Sequence, residues 1–480
     1  MMFQTRGSYR FHVSHPQFRG SHAQGAAHQE YHACRDGRQL RTFVMRGAPG
    51  ENSMKTTIAI VSQTLQALML WFLSSCVACE VFAAEPERGC DWPQFHGPRR
   101  DNKSTETGLL RQWPVDGPPL LWRTAGIGHG FGTVAIANER IYVAGDVNDM
   151  TVITAMDLRG SVQWQVENGP AWTGSQPGSR GTPTVDGVRV YHLSPLGELV
   201  CLDAQSGRRV WGLNILTRFD SQNITWALAE SVLVDGDRVI CSPGGPRAAM
   251  VALDKRTGQT VWESASSGDL AGYASPSLGE FQGVRMLFTL TGQAVIAVNA
   301  DTGTLLWRVE HKTPWDENIL KPIYHDGQLF VSSQQTGSLL LRLTVDGERV
   351  SAEPVWRSTD LDNHHGGVVL IDGCLYGSGR FNGNRWACLE WKTGRTIYLD
   401  RGVGKGSLTC ADGLLYTRGE NGAMGLVEAT PNAHRLISRF TPPREAEGPA
   451  WAHPVVCGGR LYLRHGDLLY CYDLRRGNGL

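Results

Sequence analysis

Val251-Ala-Leu-Asp-Lys-Arg-Thr-Gly-Gln-Thr-Val-Trp262 is the stretch that decides the fold. It runs from an apolar residue through an acid and a Gly-containing turn to an aromatic, and it recurs. Met156-Asp157 leads to Gly160 and Trp164, and Leu202-Asp203 leads to Gly207 and Trp211. Degraded copies follow at Asn299, Gly303 and Trp307, at Gly347 and Trp356, and at Glu390, Gly394 and Tyr398, with Phe440 one step further on. Self-similarity at roughly forty to fifty residues marks a stack of small sheets, none able to bury its faces alone.

Each copy has one internal order. A strand such as Gly181-Thr-Pro-Thr-Val185 opens it, and a tight turn at Asp186-Gly187, Asp235-Gly236, Asp326-Gly327, Asp372-Gly373 or Asp412-Gly413 follows. Asp-Gly pairs suit hairpins that need positive φ. A β-rich strand such as Gln328-Leu-Phe-Val331 comes next, then the strand with the apolar-acidic pair, then one ending on the aromatic. Four short antiparallel strands per copy make a propeller blade. The aromatic ends are Trp122, Trp164, Trp211, Trp262, Trp307, Trp356, Tyr398 and Phe440, so the expected fold is an all-β, eight-bladed propeller. The last copy stops at Cys471-Tyr-Asp-Leu474 without a fourth strand, while Leu120-Leu121-Trp122 is a fourth strand with no blade before it. This N-terminal strand is expected to complete the last blade and close the ring, removing its open edges. The repeat residues themselves read as structural: Trp for packing between blades, Gly for the turn, Asp as a turn acceptor.

The chain divides accordingly. Residues 1–53, rich in Arg, His, Gln and Gly, read as an extension outside the fold, with Met54 as the working start. Residues 54–83 read as a secretory signal: Lys55, the apolar run Ile58 to Leu73, then small residues. Cleavage after Val81-Phe82-Ala83 is one scheme; Leu73-Ser74-Ser75-Cys76, which resembles a lipobox and would place a lipid on Cys76, is the other. Residues 84–117 form a lead-in segment, 118–474 the propeller (118–123 completing its last blade), and 475–480 a tail. The expected location is the periplasm or cell envelope, with membrane attachment only through such a lipid.

Lys plus Arg (46) equals Asp plus Glu (46), and no basic stripe points to nucleic acid. Cys201, Cys388 and Cys471 take a repeat position held elsewhere by Ala155, Ala252 and Ala297, so it wants a small buried side chain rather than a bridge or a metal. Cys374 and Cys388 flank one hairpin and meet the spacing, though not self-evidently the geometry, of a disulfide.

The phrases resemble the pyrroloquinoline-quinone-type (PQQ-like) repeat, most closely at Val251–Trp262 and Ala297-Val-Asn-Ala-Asp-Thr-Gly-Thr-Leu-Leu-Trp307. Asp91-Trp-Pro-Gln-Phe-His-Gly-Pro98 looks like the opening of exported bacterial propellers of this group. The resemblance covers nearly all of residues 91–474 and implies fold more than activity, since quinoprotein alcohol dehydrogenases and BamB-like assembly propellers share the repeat. The quinoprotein features are thin. No two cysteines are adjacent, no CxxCH follows Cys76-Val-Ala-Cys79, and Asn223 with Glu230 around Trp226 is a bare start on a calcium site.

Segments that enter the innermost strands converge at one end of a propeller's channel. They carry His129, Arg180, Asn223, Trp226, Glu230, His364, His365, Lys405, Trp451 and His453, an aromatic and His-rich set suited to a binding funnel. As strand neighbours, His364 and His365 are expected on opposite faces, unable to share a metal. His129, His364 and His453 form a cross-channel alternative without a local signature. No catalytic residue and no resident metal are assigned. The expectation is a monomeric, non-catalytic scaffold that binds envelope proteins or a polymer at the propeller mouth. The rival is a PQQ- and calcium-dependent dehydrogenase of alcohols, sugars or polyvinyl alcohol.

Overall fold

The computed structural model describes residues 91–476, apart from 348 and 444. The expected extension, the signal at 54–83, both cleavage schemes and Cys76 lie outside the described residues. Among the described residues, eight sheets of four antiparallel strands form a propeller, with one short helix, Ile215–Arg218, and one 3-10 turn, Pro314–Asp316, between them. Blade 1 comprises Ala135–Ala137, Arg140–Val147, Met150–Asp157 and Val162–Pro170, counted from the axis outward. Blades 2 to 7 repeat it from inner strands Thr184–Asp186, Leu233–Asp235, Ser277–Phe281, Ile323–His325, Asn363–Ile371 and Gly406–Ala411. Asp326, Asp372 and Asp412 and the glycines after them all have positive φ, as their hairpins require, whereas Asp186 and Asp235 end their strands opposite Arg189 and Arg238 and only Gly187 and Gly236 have positive φ there.

Blade 8 is closed as expected. Val455–Cys457, Arg460–His465 and Leu468–Asp473 take Leu120–Thr124 as their outermost strand, with Trp122 opposite Cys471 and Arg123 opposite Tyr470.

The repeat phrase works as a latch between blades. The indole of Trp211, on the outer strand of blade 2, donates to Lys255 O in the outer turn of blade 3 at 3.0 Å. The Tyr191 hydroxyl donates to the same oxygen at 2.9 Å. The ring lies so close that a Cβ on Gly258 would sit 2.7 Å from it, so the turn glycine leaves room for the neighbouring Trp. Trp122, Trp164, Trp262 and Trp356 donate in the same way to Leu158 O, Ala204 O, Ala300 O and Trp391 O. The acids shape the turn that receives them: Asp254 Oδ1 accepts from Arg256 N and Thr257 N. The Cys-or-Ala position lies directly opposite the aromatic, as in Ala155–Trp164, Cys201–Trp211, Ala252–Trp262 and Cys388–Tyr398. A large side chain there would displace the ring. These cysteines are buried free thiols, Cys374 included, and burial pushes Cys201 up to about 11 and Cys471 up to about 12.

Blade 5 departs from the pattern. Its outer hairpin, Gly337–Asp346 and Arg349–Ser358, has ten-residue strands, a Cβ on Gly347 would touch nothing, and the buried Trp307 Nε1 has no acceptor. This contrast yields a measurable difference. Trp211→Phe removes a hydrogen bond and Trp307→Phe does not, while Lys255 O keeps its Tyr191 partner and is not orphaned. Trp211→Phe should therefore cost about 1 kcal/mol more than Trp307→Phe in denaturant unfolding. Equal losses would remove the indole N–H from the latch.

Candidate functional site

The lead-in segment braces the ring from within. Trp92 pairs with Ile136 of blade 1 through two backbone hydrogen bonds, and Pro93 O accepts from Val185 N of blade 2. Arg100 donates to Ser231 O and Val232 O before blade 3, and Asn102 O accepts from Cys410 N of blade 7. One segment thus ties blades 1, 2, 3 and 7, with His96, Arg100 and Asn102 held at positive φ.

Phe95 and His96 of this segment help to line a cavity of about 420 Å³. Its remaining wall comes from the segments that enter the inner strands: Phe131, Arg180, Trp226, Tyr273, Glu317, His364, His365 and Trp451, with Lys321, Arg380 and His453. Six expected site residues therefore meet here: Arg180, Trp226, His364, His365, Trp451 and His453. His129 is not part of the lining. It stacks edge-on against Phe131, and the partner of His453 is His96, with Nε2 and Nδ1 3.1 Å apart.

Asn223 and Glu230 do not line the cavity. Asn223 Nδ2 donates to Pro195 O at 3.0 Å and its Oδ1 accepts from Ile224 N, so the side chain shapes its own loop. Glu230 is buried (3% exposed) with Oε2 accepting from Ser242 N at 3.0 Å. Burial pushes its carboxyl up to about 8, opposed by the Ser242 hydrogen bonds and Arg100. Lys405 sits behind the wall, its Nζ 2.7 Å from Glu420 Oε1 and 3.3 Å from His364 Nδ1. Glu420 Oε1 also accepts from Trp451 Nε1 at 2.8 Å.

His364 and His365 correct the expectation of opposite faces: their Nδ1 atoms are 3.1 Å apart and both rings line the cavity. The strand's pairing jumps from Asn363–Gly379 to Val368–Gly377, so residues 364–367 form a bulge and side-chain alternation fails there. Gly366 is required in it, because a Cβ would strike Gly406 O.

Burial sets the protonation of the wall. It drives His453 down to about 4 and, with the Lys405 and Arg380 charges, His364 down to about 3; His365 and His96 also fall well below the usual imidazole value. These imidazoles are neutral at neutral pH. Burial lowers Arg180 to about 10, still a cation, and its guanidinium lies over the Phe131 ring at 5.7 Å. Lys321 is buried (7% exposed), its Nζ donates to Pro322 O at 3.1 Å, and burial, then Arg100, lowers it to about 7. Glu317 is the one carboxylate among the described residues that line the cavity, and burial raises it.

Calcium does not fit this wall, since it takes six to eight oxygen ligands and the cavity offers mainly imidazoles, guanidiniums and rings. A flat polyanion fits in type, with Arg180 and Arg380 to meet its charges and Trp226 and Trp451 to meet its faces.

An eight-bladed repeat propeller with a walled axial cavity is the class of protein that fold and site define. The family model described as outer membrane protein assembly factor BamB matches residues 106–226 and 149–399, and the chain belongs to that family. Sequence relatives include BamB of Yersinia pestis, 24% identical over 45% of this chain and 55% of that protein. Another is the quinoprotein ethanol dehydrogenase of Pseudomonas aeruginosa, 28% identical over 37% of this chain and 26% of that protein. The chain thus spans only about half of one curated relative and a quarter of the other. Among solved structures, BamB of Moraxella catarrhalis aligns at TM-score 0.52 and 15% identity, over 74% of this chain and 99% of that one. The quinohemoprotein alcohol dehydrogenase of Comamonas testosteroni aligns at 0.57 and 13%, over 83% and 82%. These structural likenesses concern the fold. Among the described residues no helix is long and apolar enough to cross a membrane.

Tyr273 and Glu317 come from converging segments that the sequence also brings to the mouth, Ala271-Gly-Tyr273 and Trp315-Asp-Glu-Asn318, whereas Phe95, His96, Lys321, Arg380 and Glu420 carried no such signal. Lys321 carries a measurable consequence. Unfolded, it takes up a proton below about 10.4; folded, only below about 7. Between these values the unfolded chain binds the extra proton, so stability falls as pH drops through the window, and the penalty is fully present below it. Lys321→Met should raise the melting temperature at pH 7, and raise it progressively less as pH climbs toward the unfolded value. A gain independent of pH would show that Lys321 is charged in the folded protein.

Proposed function

We propose that the protein is an exported, non-catalytic binding propeller whose axial cavity holds a small anionic group, either a free ligand or an acidic side chain of an envelope partner. The observation that carries this is the make-up of the wall: two guanidiniums and several aromatic rings face one half-buried carboxylate, while Asn223 and Glu230 are engaged elsewhere. Such a wall supplies charge and flat contact area. It assigns no nucleophile and no proton acceptor to a reacting atom. The signal-like text at 54–83 and the kinship with an outer membrane assembly factor support an envelope location.

Quinone-dependent dehydrogenation is the second reading. It is favoured by the same aromatic and cationic wall and by the similarity to a quinoprotein ethanol dehydrogenase. The tricarboxylate quinone itself separates the two. Without calcium it should quench the fluorescence of Trp226 and Trp451 as it binds, and losing either Arg180 or Arg380 to Gln should weaken binding roughly tenfold, the worth of one charged hydrogen bond. With calcium and an artificial electron acceptor, alcohols, sugars and polyvinyl alcohol should give no turnover. Substrate-dependent reduction of the acceptor would overturn the non-catalytic reading. Quenching unchanged in both arginine variants would remove the cavity as the anion site.

A further inference from the structure

The geometry points to a transition-metal site on the cavity wall, with His364 Nδ1, His365 Nδ1 and a Glu420 carboxylate oxygen as ligands and a divalent ion of the zinc type as occupant. These three side chains place their donor atoms within 4.8 Å of one another, a group with no second example among the described residues. The two imidazole nitrogens are 3.1 Å apart, and His365 Nδ1 lies 3.5 Å from Glu420 Oε1. Tetrahedral zinc with bonds of about 2.0–2.1 Å holds its ligand atoms about 3.3 Å apart, so these separations bracket the spacing the ion demands.

Two features show that the arrangement is built. Adjacent histidines on a regular strand diverge, and here the bulge at 364–367, which only glycine permits at 366, turns both rings to one side. Trp451 Nε1 donates to Glu420 Oε1 at 2.8 Å and fixes the carboxylate. A hydrogen bond to a ligating carboxylate is the usual support of a metal site. The donor set also chooses the ion: two imidazoles and a carboxylate suit zinc or its neighbours and not calcium. Both rings line the cavity, which leaves the fourth position to water or to an anion bound there.

Lys405 is the competitor. Its Nζ, 2.7 Å from Glu420 Oε1 and 3.3 Å from His364 Nδ1, supplies a positive charge where a metal would supply it. Metal capture therefore displaces the ammonium from the carboxylate, and removing the amine should favour the metal. A purely structural hydrogen-bond cluster makes the opposite prediction, since it would lose its central donor and gain nothing.

The test uses the purified full chain with Zn²⁺ in titration calorimetry and Co²⁺ in visible absorption, with no organic ligand present. A variant carrying both His364→Ala and Glu420→Gln sets the background from other histidines, including those of residues 1–53. Above that background the parent should take up one ion per chain and give the intense visible bands of tetrahedral Co²⁺. His364→Ala alone should weaken binding by at least the roughly 10–100-fold that loss of a supporting contact costs. Lys405→Met should bind more tightly than the parent, with its fold checked by circular dichroism. The site is refuted if the parent and Lys405→Met both match the background, or if Lys405→Met binds more weakly while folded. Because no anion is added, either result leaves the binding reading of the cavity to its own test.

Discussion

The ring depends on one contact, the indole of one blade seated on the outer turn of the next. An isolated four-stranded blade has two apolar faces and no partner for them, and burial alone would let neighbouring blades slide. At five of the eight blade junctions, those of Trp122, Trp164, Trp211, Trp262 and Trp356, the indole N–H bond to a turn carbonyl fixes the lateral register, while the stacked faces supply the apolar area. Ala135, Tyr142 and Ile153 of blade 1 share one buried cluster with Val190, Val200 and Leu202 of blade 2. The remaining elements of the phrase serve this contact: the Asx turn presents the carbonyl, the glycine clears space for the ring, and the small Ala or Cys lies across from it. Where blade 5 lengthens its hairpin, the bond is lost and packing alone remains.

The site depends on the ring in turn. Seven blades send the segments at the start of their inner strands to the cavity and blade 7 sends Lys405 to the charged group behind it, while the lead-in segment contributes Phe95 and His96 from another direction. Tying blades 1, 2, 3 and 7 through backbone and buried polar bonds, that segment makes the cavity a fixed volume. Its neutral imidazoles and lowered amine follow from the same enclosure, because burial is the largest cause of each shift.

Period, blade number, closure and the small-residue position were legible in the sequence, because each is a local pattern repeated in register. The converging segments were legible too, since topology alone brings them together, and Arg180, Trp226, His364, His365, Trp451 and His453 follow from it. What escaped were contacts without local signature. His96 lies in a lead-in phrase far from His453 in sequence, and Lys321 and Glu420 sit just outside the segments that topology singles out. The bulge that unites His364 and His365 defeats the two-residue period on which strand reading rests. Asn223 and Glu230 were placed near the mouth by sequence distance, but their side chains are committed to a loop and to Ser242.

Closure by Leu120–Thr124 also constrains how the molecule comes into being. The strand that seals the last blade emerges early in synthesis and must wait for Leu468–Asp473, made some 350 residues later. Until then Leu120–Thr124 lacks its strand partner and the growing array exposes an apolar blade face at each end, both open to association with other chains. Contacts so distant in sequence are slow to form. The nascent chain therefore passes through a long incomplete arc, and the last strand to be made completes blade 8 and closes the ring, leaving each blade only its own short inner and outer edges.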